Sequence, residues 1–180
     1  LGSGELGKQL AMSFQNLGLE VHAVDSYAGA PAHQVAQYSY VADIKDAGRI
    51  LQLAQEIQPH FVVPEVETVA VEALEEMEAQ SDAIVVPSAR ACAMTQDRQC
   101  VREVAENIGL PVSAYRFASS VEELEEAVGE LGFPCIIKPD VSTSGKGHMI
   151  ARDEDDVRVA WETVRRVSSD SQRVVAERFV

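Results

Sequence analysis

Through the first ninety residues, short apolar runs alternate with segments of helical period, and few folds can accommodate that order. Glu20-Val21-His22-Ala23-Val24-Asp25, Pro59 to Glu65 and Ala83 to Pro87 are strand-like, and Tyr38 to Val41 is a weaker fourth run. Between them Leu6, Leu10, Phe14 and Leu17 recur at helical spacing, as do Ile50, Leu51, Ala54 and Ile57, and then Val66, Ala70, Ala73, Leu74 and Met77. Pro31 to Ala36 reads as a short helix. Strands separated by whole helices cannot close as hairpins, so the order predicts a parallel sheet covered on both faces. The chain begins on Leu1, directly before a glycine motif. The first strand of the pattern is therefore expected to be mostly absent, with any preceding segment outside the chain.

Beyond Ala89 the pattern changes. A polar helical stretch runs to Gly109, and Leu110-Pro111 breaks it. Ser113 to Phe117 reads as a short strand. Ser120 and Glu123 have the spacing of a capping box, which opens a helix carrying Val121, Leu124, Val128 and Leu131 inward. Pro134 to Pro139 and His148 to Ala151 are strand-like, Asp153 opens a helix bearing Val157, Ala160, Trp161 and Val164, and Arg173 to Glu177 is a last strand. Arg165 and Arg166 fall in the final turn of that helix, where its dipole favours cations. The order β-α-β-β-α-β predicts a small α+β layer. The expected organisation is α/β: a Rossmann-like parallel-sheet domain over 1–95, a helical connector over 96–112, and an α+β subdomain over 113–180 that is incomplete at its C-terminal end.

Composition narrows the function classes. With 46% hydrophobic and 24% charged residues the chain has the makings of a packed core, and it has no run near the roughly 18 apolar residues of a membrane span. Lys and Arg number 15 against 29 Asp and Glu, a formal charge of −14. Such a surface argues against nucleic acid as a partner, while leaving a small phosphorylated ligand open. Cys92, Cys100 and Cys135 form no CxxC pair, which fits a reducing, cytoplasmic setting. Cys135, inside an apolar run, reads as a small buried hydrophobe.

Two clusters could carry chemistry. Gly2-Ser-Gly-Glu-Leu-Gly7 fits G-x-G-x-x-G, and Asp25 closes the next strand, as in a dinucleotide fingerprint. The same glycines would equally serve another small anion at a helix N-terminus, or a tight turn with no ligand. The second cluster is Lys138, ending an apolar strand, followed by Thr143-Ser-Gly-Lys-Gly-His148. A fixed lysine and a glycine loop with free N–H groups suit a triphosphate. It is not a P-loop: Asp140 stands where that pattern has glycine, and Gly147 follows Gly145-Lys146 where it has Ser or Thr. A plain surface hairpin is the alternative. His22 and His60 read as structural, and His33, near Pro31, could face a substrate. The glutamates at 122, 123, 125, 126 and 130 read as a solvated face, and Asp153, Asp155 and Asp156 as helix-start charge rather than a metal site.

On these motifs the chain resembles the ATP-grasp superfamily and, within it, is similar to the formate-dependent phosphoribosylglycinamide formyltransferases of purine synthesis. The resemblance runs along essentially the whole chain. It is carried by Leu1 to Lys8, Ala23-Val-Asp25 with Tyr27-Ala28 and Ala30-Pro31, Val63-Pro-Glu-Val-Glu67, Pro134 to Pro139, and Ser144 to Gly147. It implies a pre-ATP-grasp domain followed by an ATP-grasp subdomain. Glu5, Leu6 and Glu65 match ribonucleotide-binding positions. Arg98, Lys138, the loop Thr143, Ser144, Gly145, Lys146, Gly147 and His148, and the hinge Glu177, Arg178, Phe179 and Val180 match ATP-binding positions. His148 stands where the family has glutamine, and Arg178-Phe179 where it often has smaller residues. The implied cofactors are ATP and Mg2+, with the metal ligands expected downstream of Val180 and none in this chain. The implied substrates are glycinamide ribonucleotide and formate, joined through formyl phosphate, in a homodimeric cytoplasmic enzyme that this portion alone would not turn over. A bicarbonate-activating purine enzyme of the carboxyaminoimidazole ribonucleotide synthase type is the runner-up, and an NAD(P)-binding oxidoreductase the third reading.

Overall fold

In a computed structural model, which describes residues 1–140, 147–167 and 173–180, the alternating half becomes two pairs of parallel strands joined through the first residue of the chain. Its elements are α1 (Glu5–Asn16), β1 (His22–Asp25), a 3-10 turn (Pro31–Gln34), β2 (Tyr38–Val41), α2 (Ala47–Ile57), β3 (Phe61–Val62), α3 (Val71–Gln80), β4 (Ile84–Val85) and α4 (Ala89–Gln96). Strand β1 pairs with β2 and β3 with β4, both parallel. Leu1 stands between the pairs. Its amine donates to the Val63 carbonyl at 2.8 Å. The Glu65 N–H donates to the Leu1 carbonyl at 2.8 Å, and the Gly2 N–H to that of Val24 at 3.0 Å. One residue thus occupies the slot of a central strand, with Val24, Ile50, Leu53, Val62, Leu74, Met77 and Val85 in the core around it.

Two local expectations change. The stripe Leu6, Leu10, Phe14, Leu17 is not the buried face of α1: Leu6 is 59% exposed and Leu17 76%. The buried positions are Gly7 and Ala11, one turn apart. Small residues are needed there because the helix backbone lies against the glycine loop, and a Cβ on Gly7 would sit 2.7 Å from the Gly2 carbonyl oxygen. Helix α3 starts at Val71 rather than Val66. The backbone before it has other partners: the Ala70 N–H donates to the Ile44 carbonyl at 2.9 Å and the Val69 carbonyl accepts from Gln96 at 2.9 Å.

The second compact unit spans Asp97–Val180, the first being Leu1–Gln96. Most of the stretch 96–112 is therefore in this unit, as α5 (Arg98–Asn107). The others are β5 (Tyr115–Ala118), α6 (Val121–Leu131), β6 (Cys135–Pro139), β7 (Met149–Ala151), α7 (Glu154–Val167) and β8 (Val174–Arg178). The strands form one antiparallel sheet in the order β5-β8-β6-β7. Half of the capping box forms as expected, with Ser120 Oγ accepting from the Glu123 N–H at 3.1 Å, while the Glu123 carboxylate reaches one residue further back, to the Ser119 N–H at 2.7 Å. One sheet face packs Ala118, Cys135, Ile137, Ala151, Val174 and Ala176 against α6 and α7, with Trp161 half-buried at the edge. Strand alternation sends Tyr115, Phe117, Ile136, Lys138, Val175 and Glu177 to the opposite face.

Two glycine-to-alanine changes are expected to act oppositely. Gly7→Ala should lower stability by about 1–3 kcal/mol, since sterics against backbone outweigh its better helix propensity. Gly129→Ala, in α6 with nothing within 4 Å of the added carbon, should raise it by up to about 1 kcal/mol. Urea melts of both variants check the signs.

Candidate functional site

The loop Gly2-Ser3-Gly4 leads into the N-terminus of α1, where Gly4 is the cap residue and, among the described residues, no side-chain cap bond forms. Gly2 has φ +86°, and its Cβ would strike Val66 at 2.8 Å, so glycine is required. Ser3 fastens the loop: its N–H donates to Asp25 Oδ2 at 2.6 Å and its hydroxyl to the Val24 carbonyl at 3.0 Å. Asp25 Oδ1 accepts from the Ser26 N–H at 2.7 Å. Both oxygens of this buried acid thus serve the backbone. Asp25 braces the loop, which is not the role of a ribose-binding acid in the dinucleotide reading.

Glu5 and Leu6 follow Gly4 directly and are exposed. Glu65 lies against the same loop, with Oε2 3.2 Å from where a Cβ on Gly2 would be. The three residues expected to share one ligand therefore gather at one loop. Burial pushes the Glu65 carboxyl above the usual range. The Leu1 amine opposes that shift, and Glu67 and Asp25 add to it. His33 sits on the adjoining 3-10 turn, and its Nε2 is buried without a hydrogen bond among the described residues. His22 is structural, bonded to Tyr40 at 3.0 Å and Glu20 at 2.9 Å.

The second unit gathers charge on its open sheet face. Lys138 Nζ lies 2.5 Å from Glu177 Oε2. Arg102, from α5, pairs with the other oxygen of Glu177, and all three side chains are less than one-fifth exposed. Arg102 also donates to the Arg98 carbonyl at 2.7 Å and lies 5.3 Å over the Tyr115 ring. Burial, with Arg102 and Arg98 alongside, lowers the Lys138 pKa. Burial also lowers that of His148, with Arg98 and Lys138 contributing, so both cations are within electrostatic reach of the imidazole. Nearby, Arg173 holds Asp140 at 2.9 and 3.0 Å and Gln99 at 2.7 Å, and stacks 4.4 Å over Phe117. Asp97 caps α5 by accepting from the Gln99 and Cys100 N–H groups at 2.8 and 3.3 Å.

Past Glu177, the Arg178 N–H donates to the Ala114 carbonyl at 2.9 Å and the Phe179 N–H to that of Pro134 at 3.2 Å. The Arg178 guanidinium turns to the Leu131 carbonyl at 3.2 Å. Phe179 borders a cleft of about 400 Å³ with Phe133, Pro134, Ile150 and Arg152, and Val180 is exposed. Gly147 is left-handed, with φ +78°. Thr143, Ser144, Gly145 and Lys146 lie outside the described residues.

Residues 1–96 match the ribonucleotide synthetase preATP-grasp domain, and residues 103–180 match the ATP-grasp domain. The chain belongs to the preATP-grasp family of ribonucleotide synthetases. It is 47% identical, over its full length, to the formate-dependent phosphoribosylglycinamide formyltransferase of Corynebacterium glutamicum, covering 45% of that protein. It is 49% identical to the enzyme of that name from Methylococcus capsulatus, over 98% of this chain and 45% of that one. The chain spans about half the length of the curated relatives it matches. Among solved structures it is similar to glycinamide-RNase-transformylase T from Mycobacterium tuberculosis, with TM-score 0.77, 34% identity, and coverage of 100% of this chain and 47% of that one. It is also similar to carboxyaminoimidazole ribonucleotide synthase from Aspergillus clavatus complexed with ATP, with TM-score 0.87, 25% identity, and coverage of 100% and 46%. The resemblance read from the glycine loop, Pro-Glu-Val-Glu and the strand lysine agrees with these matches.

Sequence reasoning singled out Lys138, Glu177 and Arg98 but missed Arg102, which touches Glu177 directly. The available signal was the spacing of Arg98 and Arg102, four apart on one helix face of a strongly acidic chain. Arg173 and Tyr115 carried no such signal.

The raised pKa of Glu65 has a definite stability consequence. The folded state favours the protonated acid, so its contribution is full at low pH and is lost as pH rises through the raised value. Glu65→Gln is therefore expected to melt above the parent chain at pH 7–8, with the gap closing near pH 4. Thermal melts across that range measure it.

Proposed function

We propose that this chain supplies the ribonucleotide-binding loop and part of the nucleotide-binding subdomain of an enzyme that formylates glycinamide ribonucleotide with ATP and formate. The observation that carries the reading is the buried group of Lys138, Glu177 and Arg102 with Arg98 beside it, a local surplus of positive charge in a chain of net charge −14. Lys138 and Arg98 hold the phosphates together with Thr143 to His148, and Glu177 to Val180 receive the adenine. The Arg178 and Phe179 N–H groups and the Glu177 and Arg178 side chains have other partners, so the backbone of this segment and the Phe179 ring carry that contact. Glu5, Leu6 and Glu65 hold the ribonucleotide. An acid beside the loop suits a substrate whose reacting group is an amine.

The chemistry needs no protein nucleophile. A formate oxygen bonds to the γ-phosphorus of ATP as the bond to the β-bridging oxygen breaks, leaving ADP and formyl phosphate. The substrate amine then attacks the formyl carbon, phosphate departs, and the amine gives up a proton. Positioning and charge neutralisation are the protein's contribution. Magnesium, expected with ATP, finds no donor set among the described residues. Near Lys138 the acids Glu177 and Asp140 are already held by Lys138, Arg102 and Arg173. A cytoplasmic homodimer is part of the same proposal; no helix among the described residues is long and apolar enough to cross a membrane.

The likeness to carboxyaminoimidazole ribonucleotide synthase favours a second reading, in which bicarbonate replaces formate as the activated acid. The oxidoreductase reading loses its ribose-binding acid to the loop brace at Asp25. In the complete enzyme carrying this sequence, phosphate release from ATP, magnesium and glycinamide ribonucleotide is expected to depend on formate. Release driven by bicarbonate instead would transfer the assignment to the second reading.

Lys138→Met is expected to weaken ATP binding by tenfold or more, the scale of one charge-assisted phosphate contact. The circular-dichroism melt should shift little, because Arg102 still neutralises Glu177. Calorimetric titration with ATP reads the affinity.

A further inference from the structure

Glu177 presents two oxygens to two cations from different elements: Oε1 to Arg102 on α5 and Oε2 to Lys138 on β6, the latter at 2.5 Å. Counted as a group, two cations and one anion leave one net positive charge. Without Arg102, Lys138 and Glu177 would be a neutral buried pair. A neutral pair attracts a phosphate weakly, and a lysine locked to a single carboxylate must break that contact before it can turn to a ligand. Register supports the same view. Ile136 is the direct cross-strand partner of Glu177. Lys138 therefore reaches Glu177 along a diagonal on the shared face, a geometry that a competing anion can open.

Arg102 is itself well placed to stay put. It is held by the Arg98 carbonyl at 2.7 Å and by the Tyr115 ring at 5.3 Å. Helix α5 buries none of its residues fully, so its side chains rather than an apolar seam locate it: Arg102 on Glu177, and Asp97 and Gln99 on Arg173. The charged and titratable groups around Lys138 are then Glu177, Arg102, Arg98 and His148, with Tyr115 and the Arg173-paired Asp140 acting on Arg102.

We propose that Arg102 is a positioning residue of the nucleotide site: by holding one oxygen of Glu177 it keeps Lys138 exchangeable and the group net positive, so that a polyphosphate can displace the carboxylate. Arg102 need not touch the phosphates. The inference rests on the nucleotide reading of Lys138 given above.

The test pairs ATP affinity with the titration of the Lys138 amine, followed by NMR of the lysine side chain, which needs no ligand. Arg102→Met should weaken ATP binding roughly tenfold, as the loss of one unit charge close to the site implies. It should also raise the Lys138 pKa by removing a like charge. Arg102→Lys should restore most of both. The double variant Arg102→Met with Glu177→Gln, which returns the group to one net positive charge, should bind ATP better than Arg102→Met alone. A residue that merely props up the helix predicts the reverse, because the second substitution removes one more contact. Unchanged ATP affinity in Arg102→Met, or a double variant no better than the single, overturns the proposal. Lys138→Met separates the two levels. If it too leaves ATP binding intact, the nucleotide reading fails; if it weakens binding while Arg102→Met does not, only this inference fails.

Discussion

A charged amine is costly to bury without a counter-ion, and the placement of Lys138 organises the second unit around that cost. Removing an ammonium from water costs several kcal/mol even after relaxation. The sheet answers with Glu177 two residues along the neighbouring register, and α5 answers Glu177 with Arg102. Each burial creates the need for the next partner. The strand order β5-β8-β6-β7 puts β8, which carries the carboxylate, beside β6, which carries the lysine. It also puts β8 beside β5, whose Tyr115 ring supports Arg102.

The first unit depends on a different constraint, close approach of backbones. Gly7 lets α1 lie on the loop, and Gly2 takes a left-handed conformation beside Val66. Asp25 then holds the loop from beneath through the Ser3 N–H. Nothing in this arrangement requires a particular ligand. It leaves the N-terminus of α1 without a side-chain cap, and it leaves Glu65 over the glycines. In the proposed function the chemistry enters through Glu5, Leu6 and Glu65 rather than through the glycines themselves, which is why the glycine pattern alone left three readings open.

What could be read in advance follows from locality. The helices Ala47–Ile57 and Val121–Leu131 were legible because their periodic apolar residues lie within one segment, as do Ser120 and Glu123 at the start of the second. The helix α1 was legible from Leu6, Leu10, Phe14 and Leu17, but its buried face was not, because packing against the loop favours the smallest residues, Gly7 and Ala11. The start of α3 depended on Ile44 and Gln96, far away in sequence. The same distinction applies at the candidate site. Lys138 announces itself as a cation closing an apolar strand. Arg102 looks like any exposed helix arginine until the fold carries it to Glu177, a separation no local pattern encodes.

The net charge of −14 and the cationic group at Lys138 are complementary rather than contradictory. Screening at physiological salt limits exposed charges to a range of about 8 Å, whereas buried groups act on one another with far less screening. An extended polyanion such as a nucleic acid must lie along the acidic surface and is repelled there. On the proposed reading a compact triphosphate meets instead the group in which Arg98, Arg102 and Lys138 outnumber Glu177. On the same reading, the acidic surface disfavours one class of phosphate while the buried cations favour another. In that proposal the carboxylate in their midst sets the strength of the preference, because the ligand has to displace it on arrival.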